Sequence, residues 1–378
     1  MDLLTTRIDL GAIAHNTRLL ARRVAPAALM AVVKADGYNH GAARVAQVML
    51  AHGASQLGVA TLPEAHALRA AGITAPILAW IWHPRVDDVA AALDASIEVA
   101  LTSPEHCQAV LSALCDAPHR TARVTLKVDT GMRRNGLEGA DFDAVCRALV
   151  GHPQVEVTGV MSHLACADEP DNPFTDAQAR QFDQAIATAR AHGLEVPVNH
   201  LCNSPATLTR PDLYHEMVRP GVALYGLEPV AGRDHGLRPA MSWVSTVTKV
   251  QPIARGEGTS YGLTWTAPSD GFLAVVPGGY ADGLPRAFQN CVEVTIAGQR
   301  YPQVGRVCMD QFLVWLGANP HGVRAGQSAT IFGSGAAMSA TELAQRAGTI
   351  NYEVVCRPCG RTVRTYVDQD LNEEGAHE

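Results

Sequence analysis

The 378-residue sequence has no apolar run approaching the ~20 residues that a membrane-spanning helix needs. It also lacks an excess of positive charge. Lys plus Arg is 30 against 37 Asp plus Glu, a formal net charge of −7, so no electrostatic footprint for nucleic acid or an anionic membrane surface is present. Charge is sparse at 18%, but 47% of residues are hydrophobic, and that balance argues against extensive disorder. The nine cysteines are odd in number and scattered, unlike the dense even framework of a small secreted domain. Cys356 and Cys359 form one C-x-x-C with no second pair or nearby His to complete a zinc set, so no metal site is expected. His215-Glu216 starts like a zinc-protease helix motif, but Arg219 stands where its second His belongs. The opening MDLLTTRID has an acid at position two and no hydrophobic stretch, so no signal peptide is expected and the location is read as cytoplasmic.

What is present divides into two halves of different periodicity. Between about residues 28 and 226, short apolar runs alternate with helical patterns. The runs are Leu29–Val33, Gln56–Ala60, Pro76–Trp80, Ile97–Leu101, Arg123–Val128 and Val155–Ser162, with shorter candidates at Val198–Leu201 and Met217–Val218. Helices are expected at His40–His52, Pro63–Ala71, Pro104–Leu114 and Asp176–His192. Unbroken alternation predicts βαβ units, and eight strand candidates predict a closed (β/α)₈ barrel of the TIM type over residues 1–230. Past residue 231 helical signals nearly vanish. Trp243–Val250, Gly271–Val276, Cys291–Ile296, Phe312–Leu316 and Ala329–Phe332 read as strands of a mostly β domain over residues 231–378. Ser339 and Glu342 have capping-box spacing for one helix, and the acidic tail Asp368–Glu378 is expected to fray.

The chemistry sits at the strand ends. In a parallel barrel the C-terminal ends of the strands form the active-site face. Lys34 closes the first run, where a lysine is placed either to condense with a carbonyl cofactor such as pyridoxal phosphate or simply to reach solvent. Lys127, His163, Asn203 with Ser204, and Arg219 close other runs, so a closed barrel gathers them at one mouth. Gly221 after the last strand allows backbone N–H groups to approach a phosphate, and the Ser204 and Tyr38 hydroxyls add donors.

At these residues the sequence resembles the alanine racemase family. The resemblance is carried by Ala31-Val-Val-Lys-Ala-Asp-Gly-Tyr-Asn-His-Gly41, Leu126-Lys-Val-Asp-Thr-Gly-Met132, Asn203-Ser204 and Val218-Arg-Pro-Gly221. It continues through Ser260-Tyr-Gly262, Gly279-Tyr-Ala-Asp-Gly283, Val304-Gly-Arg-Val-Cys-Met-Asp-Gln311 and Ile350-Asn-Tyr-Glu353. Each string is short, but all occur in order across both halves. The resemblance implies a pyridoxal-phosphate enzyme that interconverts L- and D-alanine for cell-wall precursors, and a head-to-tail homodimer whose β domain completes the partner's site. It implies Lys34 and Tyr261 as catalytic bases on opposite faces of the substrate, Tyr261 coming from the other subunit. Arg219 would face the cofactor ring nitrogen, His163 would lie by the ring, and His200 would support Arg219. Tyr38, Ser204, Gly221 and Tyr352 would hold the phosphate, with Asn203 beside them. Arg134 and the backbone at Met309 would take the substrate carboxylate, and Lys127 matches a lysine that is often carbamylated.

Four positions depart from the pattern. Gly37 and Asn39 stand where Ala and Gly are common. Arg133 replaces a smaller residue, often glycine, and would resist a positive φ. Cys359 stands where a small polar residue is usual. Three other readings compete: a racemase of broader scope that also takes serine, a pyridoxal-phosphate decarboxylase on the same barrel, and a cofactor-binding regulatory protein without turnover. The Tyr261 motif argues against the second, and the full β domain against the third.

Overall fold

The computed structural model describes residues 2–368. The chain opens with strand β1 (Leu4–Asp9), whose last residue caps the helix Leu10–Val24 by accepting Ala12 N–H at 3.0 Å. Strands β2 (Ala28–Val32), β3 (Gln56–Thr61), β4 (Ile77–Ile81), β5 (Ile97–Leu101), β6 (Ala122–Lys127), β7 (Val155–Met161) and β8 (Met217–Val218) follow. They form one curled parallel sheet in the order β7-β6-β5-β4-β3-β2-β8. β2, β4 and β8 are wholly apolar because both faces are covered, while β3, β5, β6 and β7 carry the buried polar residues Gln56, Glu98, Thr125 and Thr158. Met30, Leu78, Ala100, Met161 and Met217 pack together as one buried cluster, while helices such as Ala42–Ala51, Pro104–Cys115 and Phe174–Ala191 cover the sheet. The helix starts follow capping chemistry: Thr61 and Glu64 form a capping box, and Ser103 caps a helix with Pro104 in its first turn.

The expected strand Val198–Leu201 is not a strand. It is reduced to a single bridge between His200 and Met161. The ring is nevertheless carried across the gap between β7 and β8 by Val198 N–H to Thr158 O (3.0 Å), His200 N–H to Val160 O (3.0 Å) and Arg219 N–H to Cys202 O (2.9 Å). A regular ladder fails for two reasons. The Asn199 side chain takes the Val160 N–H at 3.1 Å, and the Val198 carbonyl lies only 1.7 Å from where a β-carbon on Gly159 would stand, so the backbones cross in close contact.

The second domain carries β9 (Met241–Thr246), β10 (Lys249–Ile253), the short hairpin β11 (Gly258–Thr259) and β12 (Trp265–Thr266), and β13 (Gly271–Pro277). After them come β14 (Glu293–Ile296), β15 (Gln299–Val304), β16 (Gln311–Trp315), β17 (Ser328–Phe332) and β18 (Val363–Val367). The expected single strand Trp243–Val250 is two strands with different partners, β9 beside β1 and β17, and β10 beside β13. The helix Ala340–Ala347 starts on Ser339, whose Oγ accepts Glu342 N–H at 3.0 Å. β1 lies within residues 1–230, yet it pairs antiparallel with β9 and parallel with β18, so the first and last strands of the described residues share the β sheet. The acidic tail beyond Asp368 lies outside the described residues.

Candidate active site

β2 delivers Lys34 to the barrel mouth, and the chain then makes an uncommon turn. Ala35, Asp36, Gly37, Tyr38 and Asn39 have φ of 52°, 52°, 65°, 51° and 66°, five successive residues in the left-handed region. That conformation costs a non-glycine residue about 1–2 kcal/mol, so contacts from elsewhere hold it. Asp36 accepts Ala42 N–H (2.8 Å) and pairs with Arg364 from β18 (2.7 Å), while Asn39 accepts from Arg364 (2.9 Å) and donates to Pro358 O (2.8 Å). At Gly37 an added β-carbon would meet Val45 Cγ2 at 3.0 Å. The turn buries Tyr38 against Tyr225 and Tyr352, with ring centroids 4.9 and 6.2 Å away, and leaves Lys34 Nζ 6.0 Å from the Tyr38 ring centre.

Lys34 and Tyr38 line a cavity of about 480 Å³ at the barrel mouth. Lys127, Arg134, His163, Asn203, Ser204, Arg219, Gly221 and Tyr352 line it as well. Sequence reasoning did not single out Trp80, Met161 and Asn135 of the same wall, although Trp80 and Met161 lie at the ends of expected strands. A larger depression of about 530 Å³ lies between the helices Leu10–Val24 and Ala42–Ala51, but it is more open to solvent and gathers no comparable set of buried polar groups. Tyr261 and Met309 do not line the cavity of their own chain. They are 67% and 52% exposed, on the turn between β11 and β12 and on the loop before β16, which Ser260 Oγ joins by donating to Arg306 O at 2.7 Å.

The cavity is cationic and short of countercharge. The buried Arg219 guanidinium has no carboxylate partner among the described residues. It donates to the His200 carbonyl, to His200 Nδ1 at 3.1 Å and to the carbonyls of Ser162 and Leu201. Burial pulls it down to about 10, still protonated at neutral pH. Burial, and then Arg219, hold His200 well below the usual histidine range, so the ring accepts from the arginine as a neutral base. Burial, followed by Arg134, lowers Lys34. Burial, Arg134 and Arg219 lower Lys127 to about 8, and its ammonium donates to Asn135 O at 2.9 Å. His163 is held well down by burial and then by Arg219, Arg134 and both lysines. Asp129 is the acid whose charge opposes the lowering of Lys127. Burial opposes its ionisation, but N–H groups of Gly131, Arg133 and Arg134 hold it below the usual carboxylate range and occupy its oxygens. Arg133 adopts φ 57° in this loop, the conformation a glycine would take without strain.

At the other end of the cavity Ser204 Oγ accepts from Gly221 N–H (2.8 Å) and Ala223 N–H (3.3 Å). Gly221 lets Tyr38 pack closely against the backbone, since a β-carbon there would stand 2.2 Å from the Tyr38 hydroxyl. Hydroxyls and backbone donors at one end, and guanidinium and ammonium groups at the other, suit an elongated ligand with two anionic groups.

Residues 8–229 match the family model of the alanine racemase N-terminal domain, and residues 240–366 that of the alanine racemase C-terminal domain. An alanine racemase from Corynebacterium efficiens is 64% identical over 371 residues, covering 98% of this chain and all of the relative. The crystal structure of alanine racemase from Corynebacterium glutamicum superposes with TM-score 0.88 at 55% identity, over 97% of this chain and all of that one. The alanine racemase of a D-cycloserine-producing Streptomyces lavendulae superposes with TM-score 0.93 at 40% identity, over 97% of each chain. Matched in both halves, in fold and along nearly its whole length, the chain belongs to the alanine racemase family.

Proposed function

We propose that this protein interconverts L- and D-alanine with pyridoxal 5'-phosphate, as a cytoplasmic homodimer with shared active sites. The observation that carries the reading is the cavity itself: an amine, two guanidiniums and a second lysine face one space with almost no countercharge, opposite an end lined by Tyr38, Ser204, Gly221 and Tyr352. The residues fit the cofactor. A phosphate would be held at the end of the cavity lined by Tyr38, Ser204, Gly221 and Tyr352, with Asn203 beside it, and Lys34 would tether the aldehyde. Nine free cysteines are consistent with a reducing compartment.

Pyridoxal phosphate supplies the electron sink that lets a Cα–H bond give up its proton. The path of that proton is set by the protein's own residues. Lys34, its proton affinity lowered by burial and by Arg134, takes or returns a proton on one face. The partner's Tyr261 serves the opposite face, and two opposed groups are the simplest way to invert a stereocentre. Arg219 would face the ring nitrogen as a hydrogen-bond donor and keep its own proton, because guanidinium does not act as an acid near neutrality. This confines the site to proton exchange and restrains side reactions. His163 lies beside Arg219 and Lys34 on the cavity wall. Arg134 presents a planar fork to the substrate carboxylate, and the partner's Met309 adds a backbone donor. Lys127, held near 8, keeps a fraction of free amine at neutral pH that can add CO₂, releasing a proton and leaving a carbamate anion to orient Arg134.

The test is incubation of purified protein and pyridoxal phosphate with each L-amino acid, followed by chiral chromatography. D-alanine should appear from L-alanine and the reverse. No racemisation of alanine would overturn the reading, and comparable turnover of serine would widen the substrate class.

A further inference from the structure

Glu64 lies at the third position of the helix Leu62–Ala70, where a capping box requires one carboxylate oxygen. Its Oε2 fills that role, accepting Thr61 N–H at 3.0 Å and also Ala60 N–H at 2.8 Å. The second oxygen is not needed for capping. Oε1 instead crosses to the neighbouring strand's turn and accepts Ala35 N–H at 2.7 Å, the amide directly after Lys34. Ala35 is the first residue of the left-handed turn, at φ 52°. The two oxygens therefore tie the β3 helix start to the point where the lysine leaves β2. Of the groups that bear on Lys34, Arg134 and Arg219 are cations, Tyr38 presents a ring face, and burial keeps the Cys356 thiol neutral. Glu64 is the carboxylate among them.

We propose that Glu64 is the positioning residue of Lys34: its spare oxygen anchors the amide that follows the lysine, and its charge is the counterweight to the two arginines that face the amine. The proposal rests on Lys34 being the reacting amine, but its test does not need turnover. A glutamine has only one acceptor atom, so Glu64→Gln leaves either the helix cap or Ala35 N–H facing an NH₂ group, and it removes the negative charge. Thr61→Ala damages the same helix cap without touching the bond to Ala35.

The experiment measures the pH dependence of Lys34 acetylation by limiting acetic anhydride in the full-length chain stripped of cofactor, read by mass spectrometry of the Lys34 peptide. Glu64→Gln should move the Lys34 midpoint down by about half a pH unit or more, as loss of a neighbouring opposite charge does. Glu64→Asp, which keeps the charge at shorter reach, should fall between it and the wild type. Thr61→Ala should leave the midpoint in place. An unchanged midpoint in Glu64→Gln, or an equal shift in Thr61→Ala, would overturn the proposal. If Glu64→Gln does not fold, Glu64→Asp decides alone: a wild-type midpoint counts against it and a lowered one supports it. Because acetylation is read without substrate, a failed racemase assay and a failed Glu64 role remain separate results.

Discussion

Gly221→Ala tests the phosphate cradle most directly. The new β-carbon would stand 2.2 Å from the Tyr38 hydroxyl and 2.9 Å from its ring carbon Cζ. Ordinary contact begins near ~3.5 Å, so the overlap with the hydroxyl exceeds an ångström. Tyr38 has little room to retreat, because the Tyr225 ring lies 4.9 Å behind it and its backbone is fixed at φ 51°. Either the phenol swings out or the turn that begins at Gly221 shifts. The first outcome loses the Tyr38 donor, and the second breaks the Gly221 N–H bond to Ser204 Oγ and misplaces that hydroxyl. A hydrogen bond to a charged group contributes about 1.5–3 kcal/mol. At about 1.4 kcal/mol per decade, losing one should weaken pyridoxal phosphate 10- to 100-fold. Overpacking should also lower stability by about 1–3 kcal/mol. The assay is titration of the cofactor-free protein with pyridoxal phosphate by absorbance, alongside thermal unfolding. The cycle with Tyr38→Phe sharpens it. If the hydroxyl is the obstacle, Gly221→Ala should cost less in the phenylalanine background. Wild-type cofactor affinity in Gly221→Ala, or strictly additive losses in the cycle, would refute the cradle.

Lys34→Ala should abolish both racemisation and the visible absorbance of the lysine-linked cofactor; retention of both would remove Lys34 from its role. Tyr261→Phe should leave cofactor bound yet slow α-hydrogen exchange about 10²–10⁴-fold, far more from one enantiomer than the other, and equal loss from both would exclude opposed bases. Lys127→Met should stabilise the cofactor-free protein in CO₂-free buffer at pH 7 by up to about 3 kcal/mol, because a lysine held at about 8 against an ordinary 10.5 opposes folding while charged. The native state sheds that proton first, so wild-type stability should gain on the variant as pH rises from about 8 to 10.5, and thermal unfolding across that range checks it. Bicarbonate should narrow the gap at pH 7.

The strand ends were readable because the physics is local. A parallel barrel puts every C-terminal strand end at one mouth, so Lys34, Lys127, His163 and Arg219, each just past an apolar run, converge in the structure. The left-handed turn was not readable. Lys-Ala-Asp-Gly-Tyr contains one glycine, and nothing in Ala35 or Asp36 announces a positive φ; the conformation is held by Glu64 and Arg364, which are remote in sequence. Arg133 is a middle case: its residue type resists a positive φ, yet the structure places it at φ 57°. β1 and β18 escaped notice because short mixed strands such as Leu-Thr-Thr-Arg-Ile-Asp become strands only by pairing with the other end of the chain. Such long-range pairing leaves no periodic trace to read. Val198–Leu201 failed in the other direction: its composition suits a strand, but the Asn199 side chain competes for the ladder donor.

Two features of the single chain are each incomplete, and each suggests the other. The cavity carries cations that raise the cost of folding, and it opens to solvent without Tyr261 of its own chain in its lining. The β domain exposes Tyr261, Leu263, Tyr280 and Met309 at 67%, 65%, 45% and 52%, apolar side chains that water disfavours. Tyr280 and Ala281 donate backbone hydrogen bonds to the Cys308 and Met309 carbonyls, which links one side of that group; Ser260, next to Tyr261, links the other through Arg306. A hydroxyl-bearing ring projecting from a braced apolar surface is suited to closing a polar cavity while keeping water out. A two-fold arrangement lets each copy close the other's cavity with one kind of contact made twice. In the proposed dimer, desolvation would strengthen the attraction between the cavity's cations and an anionic ligand, so closure by a second copy and retention of the proposed cofactor would reinforce one another.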